Sequence, residues 1–335
     1  MSKAMFIDRM SAAATYLGPG VIEVDSYQTE ITDLVRRRFQ FGQRIKQTRA
    51  TGQPSRYFEQ FTIPLGEFTN PRQIVSEAAQ PSRGERALNL KAIVSAMNFS
   101  LFDVEVTQQQ GEFQGLQAKD LTDLVNGVMY THDLALWAGN DTDLLANTTT
   151  QYVGCSGQIL RGAELANIGN GVTTITPVTG SGIVSGASSI VDQIKTYIAS
   201  MVAREDYEVL PTSIYANPLT CDQLDREAKL LNLNVDKVQI TPGLVVTAIM
   251  TQAGLIPIIP DASIKVFPQG NGTFLHTFFV TTDNMIEYHY LTDPNPRVFQ
   301  LGLTGNLGGS FSVVKFGAPV VKGAPYAHGA LIMIR

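Results

Sequence analysis

Charge is what this 335-residue chain has least of: Lys, Arg, Asp and Glu together make up 16% of it, where an ordinary soluble domain carries about 25%. Hydrophobic residues stand at an ordinary 44%, so the shortfall is taken from the surface. Long stretches are nearly neutral. Between Leu144 and Val191 only Arg161 and Glu164 are charged, and from Leu291 onward only Asp293, Arg297, Lys315, Lys322 and Arg335 are. Lone monomers seldom present so little charge to water, so the composition predicts that neighbouring subunits cover much of this surface.

Other shortages exclude function classes. The two cysteines, Cys155 and Cys221, lie far apart without CxxC spacing, which excludes a disulfide framework or a cysteine zinc site and points to a reducing compartment. The opening "MSKAMFIDRM" sets Asp8 and Arg9 where a signal peptide needs an apolar core, and the most apolar run, "LVVTAIMTQAGLIPIIP", is cut by Thr, Gln and Pro. Neither export nor membrane insertion is expected. No GxSxG or GK[ST] occurs, and neither cysteine carries a local catalytic signature. A net charge of −5 argues against a protein that holds nucleic acid by bulk electrostatics.

With only four histidines, each chemical signal can be weighed singly. His132-Asp133 resembles the metal dyad of HD phosphohydrolases, but no histidine precedes it, and neighbouring helical residues point about 100° apart. His132 therefore reads as a hydrogen-bonded core histidine. "GSGIVSG" at 180–186 has GxGxxxG rather than GxGxxG spacing and reads as a linker into a helix. The best metal candidate is His276, Glu287 and His289. A hairpin turning at Thr282-Asp283 would set His276 opposite His289, giving two imidazoles and a carboxylate fit for iron or zinc. A turn at Asp283-Asn284 would set Leu291 there instead. A metal-dependent enzyme is thus the alternative from another class.

What the chain does have is organisation. Its length allows roughly two domains, or one with large excursions. Ser26 to Phe39 has helical spacing, and from Arg36 to Arg56 seven basic residues (Arg36, Arg37, Arg38, Arg44, Lys46, Arg49 and Arg56) occur with no acid between them. The run suits contact with DNA or with another subunit. Residues 52–106 read as two strand-like legs around a polar tip that holds Arg72, Glu77, Arg83, Glu85 and Arg86, charges suited to pairing across a subunit boundary. "LQAKDLTDLVNGVMYTHDLALWA" places Leu121, Leu124, Val125, Val128, His132, Ala135 and Leu136 on one helical face. Residues 141–184 suggest short strands and turns. "SSIVDQIKTYIASMVAR" suggests a second helix, and "PLTCDQLDREAKLLNL" a third with Thr220 and Gln223 at capping-box spacing. "TFLHTFFVTTDNMIEYHYL" suggests a hairpin, and glycine-punctuated strands follow it.

In this order the elements resemble the α+β Johnson fold of the major capsid proteins of tailed double-stranded DNA bacteriophages. The resemblance implies an N-terminal arm (1–51), an E-loop (52–106), a peripheral domain (107–204) with a spine helix at 116–138, an axial domain (205–290) and peripheral return strands (291–335). It implies a structural virion protein, not an enzyme, without cofactor. Such a protein assembles with itself into hexamers and pentamers of an icosahedral shell around packaged DNA, in the host cytoplasm. The implied partners are a portal, decoration proteins and a scaffolding protein, the last a separate chain because only about 50 residues precede the E-loop. Encapsulin nanocompartments share the fold and are the nearest alternative.

Overall fold

The computed structural model describes residues 40–66, 68, 70–72, 80–100, 102, 105, 116–139, 151–166, 172–175, 189–204, 208–230, 236–241, 244–270, 273–304 and 308–334. The expected helix at 26–39, the linker at 180–186, and Arg36, Arg37, Arg38 and Glu77 lie outside them.

Two sheets share one chain. The first has five strands: β1 (Lys46–Arg49), β12 (Ile286–Tyr290), β14 (Gly308–Val321) and β13 (Arg297–Thr304) in that order, with β4 (Lys91–Ser100) also paired to β14. β14 and β4 form the longest ladder, from Gly308↔Ser100 to Gly317↔Lys91. The second has eight, in the order β5 (Val172–Ile175), β15 (Gly329–Ile334), β11 (Thr273–Thr281), β6 (Ser213–Ala216), β9 (Gly254–Pro260), β8 (Leu244–Thr251), β7 (Asp236–Thr241), with β10 (Phe267–Gly270) on β11. β2 (Ser55–Gln60) and β3 (Arg83–Leu88) make a separate hairpin. Among the described residues no helix is long and apolar enough to cross a membrane.

The helices follow α1 (Gln40–Arg44) as α2 (Leu116–Ala138), α3 (Cys155–Ala166), α4 (Ile190–Val202), α5 (Pro218–Leu230) and α6 (Ala324–Ala327). α2, 23 residues and so about 34 Å long, packs on β4 and β14. Its predicted apolar face is buried at Val128, His132 and Leu136 and half-buried at Leu121, Leu124, Val125 and Ala135. It ends at Gly139, where a Cβ would lie 2.3 Å from the carbonyl oxygen of Tyr152 and 2.7 Å from the backbone nitrogen of Gly154, so only glycine allows the returning chain so close.

Three apolar clusters follow. Ile190, Ile194, Ile198 and Met201 of α4 pack with Leu224 of α5 and with Ile214, Ile256, Ile258, Phe278, Val280 and Leu331 of the large sheet. A second cluster fills the seam between the sheets, where Phe41, Leu136, Trp137, Ile159, Tyr215, Phe279, Tyr288 and Val321 meet. Tyr57, Leu88, Tyr152, Ala318 and Val320 form a third at the hairpin root.

The structure corrects several expectations. β11 and β12 are not a hairpin: both edges of β11 are occupied by β6 and β15, so no backbone groups are left for β12, and a 3₁₀ turn at Asp283–Met285 hands the chain to the other sheet. The 52–106 excursion is not one two-legged loop. Its hairpin closes at Leu88, because the side chain of Gln53 takes both the N–H (3.1 Å) and the carbonyl (3.3 Å) of Leu90, and β4 then joins the five-stranded sheet. Arg83, Glu85 and Arg86 accordingly sit in strand β3, not in a loose tip. α3 occupies part of a region expected to be strands and turns. Thr220 and Gln223 form no capping box: Asn217 caps α5, accepting from the N–H of Leu219 at 2.9 Å, with Pro218 as first helical residue. α4 and β15 both contribute to the α5 cluster, and β12 pairs with β1 and β14.

Candidate functional site: a projecting hairpin and its polar root

Alternation along β2 gives the hairpin two faces. Ser55, Tyr57 and Glu59 turn inward, while Arg56, Phe58 and Gln60 face out. Phe58, Ile63, Leu65 and Phe68 are exposed large apolar side chains, with Leu65 at 80%. Four such side chains within eleven residues form a patch of the kind that another protein surface covers. The open face of the β4–β14–β13 sheet is similar in character, with exposed Val94, Phe299 and Phe316.

The hairpin is rooted in charge. Glu287, on β12, accepts from Lys46 Nζ (2.8 Å), Lys322 Nζ (2.8 Å) and Thr48 Oγ1 (3.1 Å). Its burial alone would raise its pKa, but the hydrogen bonds and charge of the two lysines outweigh that and hold it at about 2. His289 Nε2 lies 3.3 Å from the same carboxylate, so this nitrogen donates and Nδ1 accepts from Ser55 Oγ at 2.8 Å. Desolvation lowers the His289 pKa despite the carboxylate. Farther out, Glu59 accepts from Arg86 Nε (2.6 Å) on the opposite strand and from the backbone N–H of Gly323 (2.8 Å).

These contacts decide the metal question. His276 stands on β11 in the other sheet and hydrogen-bonds Thr220 Oγ1 through Nδ1 at 2.9 Å, so the proposed trio with Glu287 and His289 is not assembled in either register. Among the described residues no group of three His, Cys, Asp or Glu is placed to hold a metal ion. His132 is the core histidine expected: its Nδ1 lies 3.2 Å from the Tyr152 hydroxyl, its ring meets Tyr288 edge-on at 4.6 Å, and burial followed by nearby Lys315 holds its pKa well below the usual range.

Of the basic run, Arg44 pairs with Asp283 at 3.3 Å, Lys46 with Glu287, and Arg56 with Glu85 at 2.6 Å; Arg49 is exposed. The acids absent from the local sequence are supplied by segments distant along the chain: the 3₁₀ turn for Arg44, β12 for Lys46 and β3 for Arg56. Of the loop charges, Arg72 is exposed, while Arg83 reaches Gln60 at 3.3 Å. Sequence reasoning missed Glu59, Gln158 and the Lys322-Gly323 turn. Only an acid on the inward-facing register of a strand hinted at the first, and nothing marked the other two.

No protein-family model matches the sequence, and no curated protein sequence matches it either. The fold, however, matches solved structures along almost the whole chain. A structure from Mycobacterium phage Bobi aligns at TM-score 0.60 and 14% identity, over 96% of this chain and 97% of that one. The capsid of the native GTA particle aligns at TM-score 0.58 and 11% identity, covering 96% and 98%. The capsid of Myoviridae phage XM1 aligns at 0.56 and 12%, covering 94% and 100%. The holo-SrpI encapsulin complex of Synechococcus elongatus PCC 7942 aligns at 0.50 and 13%, covering 96% and 94%. The chain therefore has the mixed α+β fold of phage capsid proteins, as its order of elements suggested.

Proposed function

We propose that this chain is a structural subunit that self-assembles into the icosahedral capsid of a tailed bacteriophage. The observation that carries this reading is the match to solved phage and GTA particle structures over 94–96% of the chain. The scarcity of charge and the exposed apolar hairpin support it, because both call for covering by neighbours. In this reading residues 1–51 form the arm, whose last part, α1 and β1, is packed into the body, the β2–β3 hairpin is the E-loop, α2 is the spine, and hexamers and pentamers build the shell of the virion. The exposed members of the basic run, with Arg36, Arg37 and Arg38, face packaged DNA or a subunit contact, and Arg72, Glu77 and Arg83 meet a neighbour. Portal, scaffolding and decoration proteins complete the assembly, which takes place in the host cytoplasm.

The encapsulin match supports a second reading, a shell around protein cargo. Electron microscopy of the purified protein is the test. Closed particles or flat capsomers are expected, and a small discrete oligomer with stoichiometric iron or zinc would overturn the shell reading. Nucleic acid inside particles from infected cells selects the capsid, and a protein filling selects the nanocompartment.

A further inference from the structure

We infer that Glu59 is a positioning residue that fixes the angle at which the β2–β3 hairpin leaves the body, by tying it to the Lys322-Gly323 turn. Only the consequence for assembly rests on the shell reading above.

The inward face of β2 meets the body at three successive positions, each holding a different element. Ser55 bonds His289 of β12. Tyr57 packs in the cluster with Ala318 and Val320, with Lys322 Nζ 6.0 Å above its ring. Glu59 takes the Gly323 N–H. A strand advances about 3.3 Å per residue, so Glu59 stands about 13 Å beyond Ser55. Gln53, Ser55 and Tyr57 hold only the base of the hairpin, over about 7 Å of strand beyond Ser55, and leave it free to rock; the bond at Glu59 doubles that span and takes it past the apolar contact. Through Arg86 the same carboxylate binds the return strand, so both strands move with it.

The other end of this bond is a turn held by several hydrogen bonds. Gly323 has φ +62°, a left-handed conformation that strains any side chain. Lys322 donates its N–H to Met285 O (2.9 Å), its carbonyl accepts from His328 Nε2 (3.1 Å), and its ammonium holds Glu287 (2.8 Å). This turn joins the end of β14 in one sheet to α6 and β15, and so to the other sheet. The hairpin angle is thereby referred to the junction of both sheets, and the apolar side chains beyond Gln60 are aimed by it.

The test uses the full chain as free subunits. Cys221 is replaced by Ala, and spin labels are placed at Leu65→Cys on the hairpin and Met250→Cys on the body, both strongly exposed positions. Glu59→Ala should widen the label-to-label distance distribution at least twofold with unchanged far-UV circular dichroism. Glu59→Gln keeps an acceptor for Gly323 and should restore the narrow distribution, although it removes the charge facing Arg86. Should the alanine variant not fold, Glu59→Met keeps the bulk without an acceptor and gives the same reading. A wild-type width in both Ala and Met variants overturns the inference, and so does a Gln variant as broad as Ala. Because the measurement is made on free subunits, it stands or falls independently of whether the wild type forms shells.

Discussion

Trp137, near the end of α2, donates its indole N–H to Asp261 Oδ2 at 3.0 Å, across 124 positions of sequence. Asp261 in turn caps the loop after β9 by accepting the N–H of Ser263 at 2.8 Å. The indole stacks between Phe41 (4.2 Å) and Phe279 (5.1 Å). One side chain thus locks the long helix to the large sheet. Trp137→Phe keeps most of the stacking but removes the donor, so it should cost about 1–3 kcal/mol, while Trp137→Ala adds a cavity and should cost about 3–5 kcal/mol. Urea unfolding of free subunits measures both; equal losses would show that the hydrogen bond dominates and the packing counts for little.

Gln158 is a second lock, buried within α3. Its Nε2 donates to Val153 O and Pro319 O, and its Oε1 accepts from Val321 N, all at 2.9 Å. Gln158→Leu should leave these backbone groups buried without partners and cost about 2–4 kcal/mol. Faster amide exchange of Val321 than in the wild type is expected, and an unchanged rate would contradict the assignment.

Acid should destabilise the free subunit in two stages. His328 Nδ1 accepts from Thr282 N–H at 3.3 Å while Nε2 donates to Lys322 O, and Nδ1 can accept only on the neutral ring. Burial lowers its pKa from 6.5 to about 4. Because the folded state binds this proton less tightly than the unfolded state, the stability is complete above pH 6.5 and falls as pH drops toward 4, by about 3 kcal/mol at most. His132 and His289, also lowered, act in the same direction. Glu287 adds its own loss between its ordinary value of 4.5 and about 2, because protonation there removes the partner of Lys46 and Lys322. Unfolding at a series of pH values should show a shallower slope between pH 6.5 and 4 for His328→Gln than for the wild type; parallel slopes would refute the assignment.

The exposed apolar hairpin should matter to assembly and not to folding. Leu65→Asp and Phe68→Asp change side chains that touch little, so free-subunit stability should stay within about 0.5 kcal/mol of wild type. The concentration needed to form particles should rise at least tenfold, as light scattering would read. Normal assembly in both variants would remove the hairpin from the interface.

If the basic arm meets DNA, neutralising Arg36, Arg37 and Arg38 together should leave empty particles unchanged and impair filled ones, with a salt-dependent effect. Equal loss of empty and filled particles would put these residues at a protein interface.

Periodicity was enough for α2, α4, α5 and many of the strands, because these depend on local hydrophobic spacing. His132 was legible as a core residue for the same reason, standing on the buried face of a helix. The partner of each strand was not legible. Whether β12 followed β11 as a hairpin depended on β6 and β15, remote segments that claim both edges of β11 first. The same holds for charge: the run from Arg36 to Arg56 looks unopposed in sequence, and only the tertiary fold brings Asp283, Glu287 and Glu85 to Arg44, Lys46 and Arg56. Spacing along a chain fixes which face a residue occupies, but which backbone edge or counter-charge it meets is a competition among segments far away in sequence, settled only when all of them are packed.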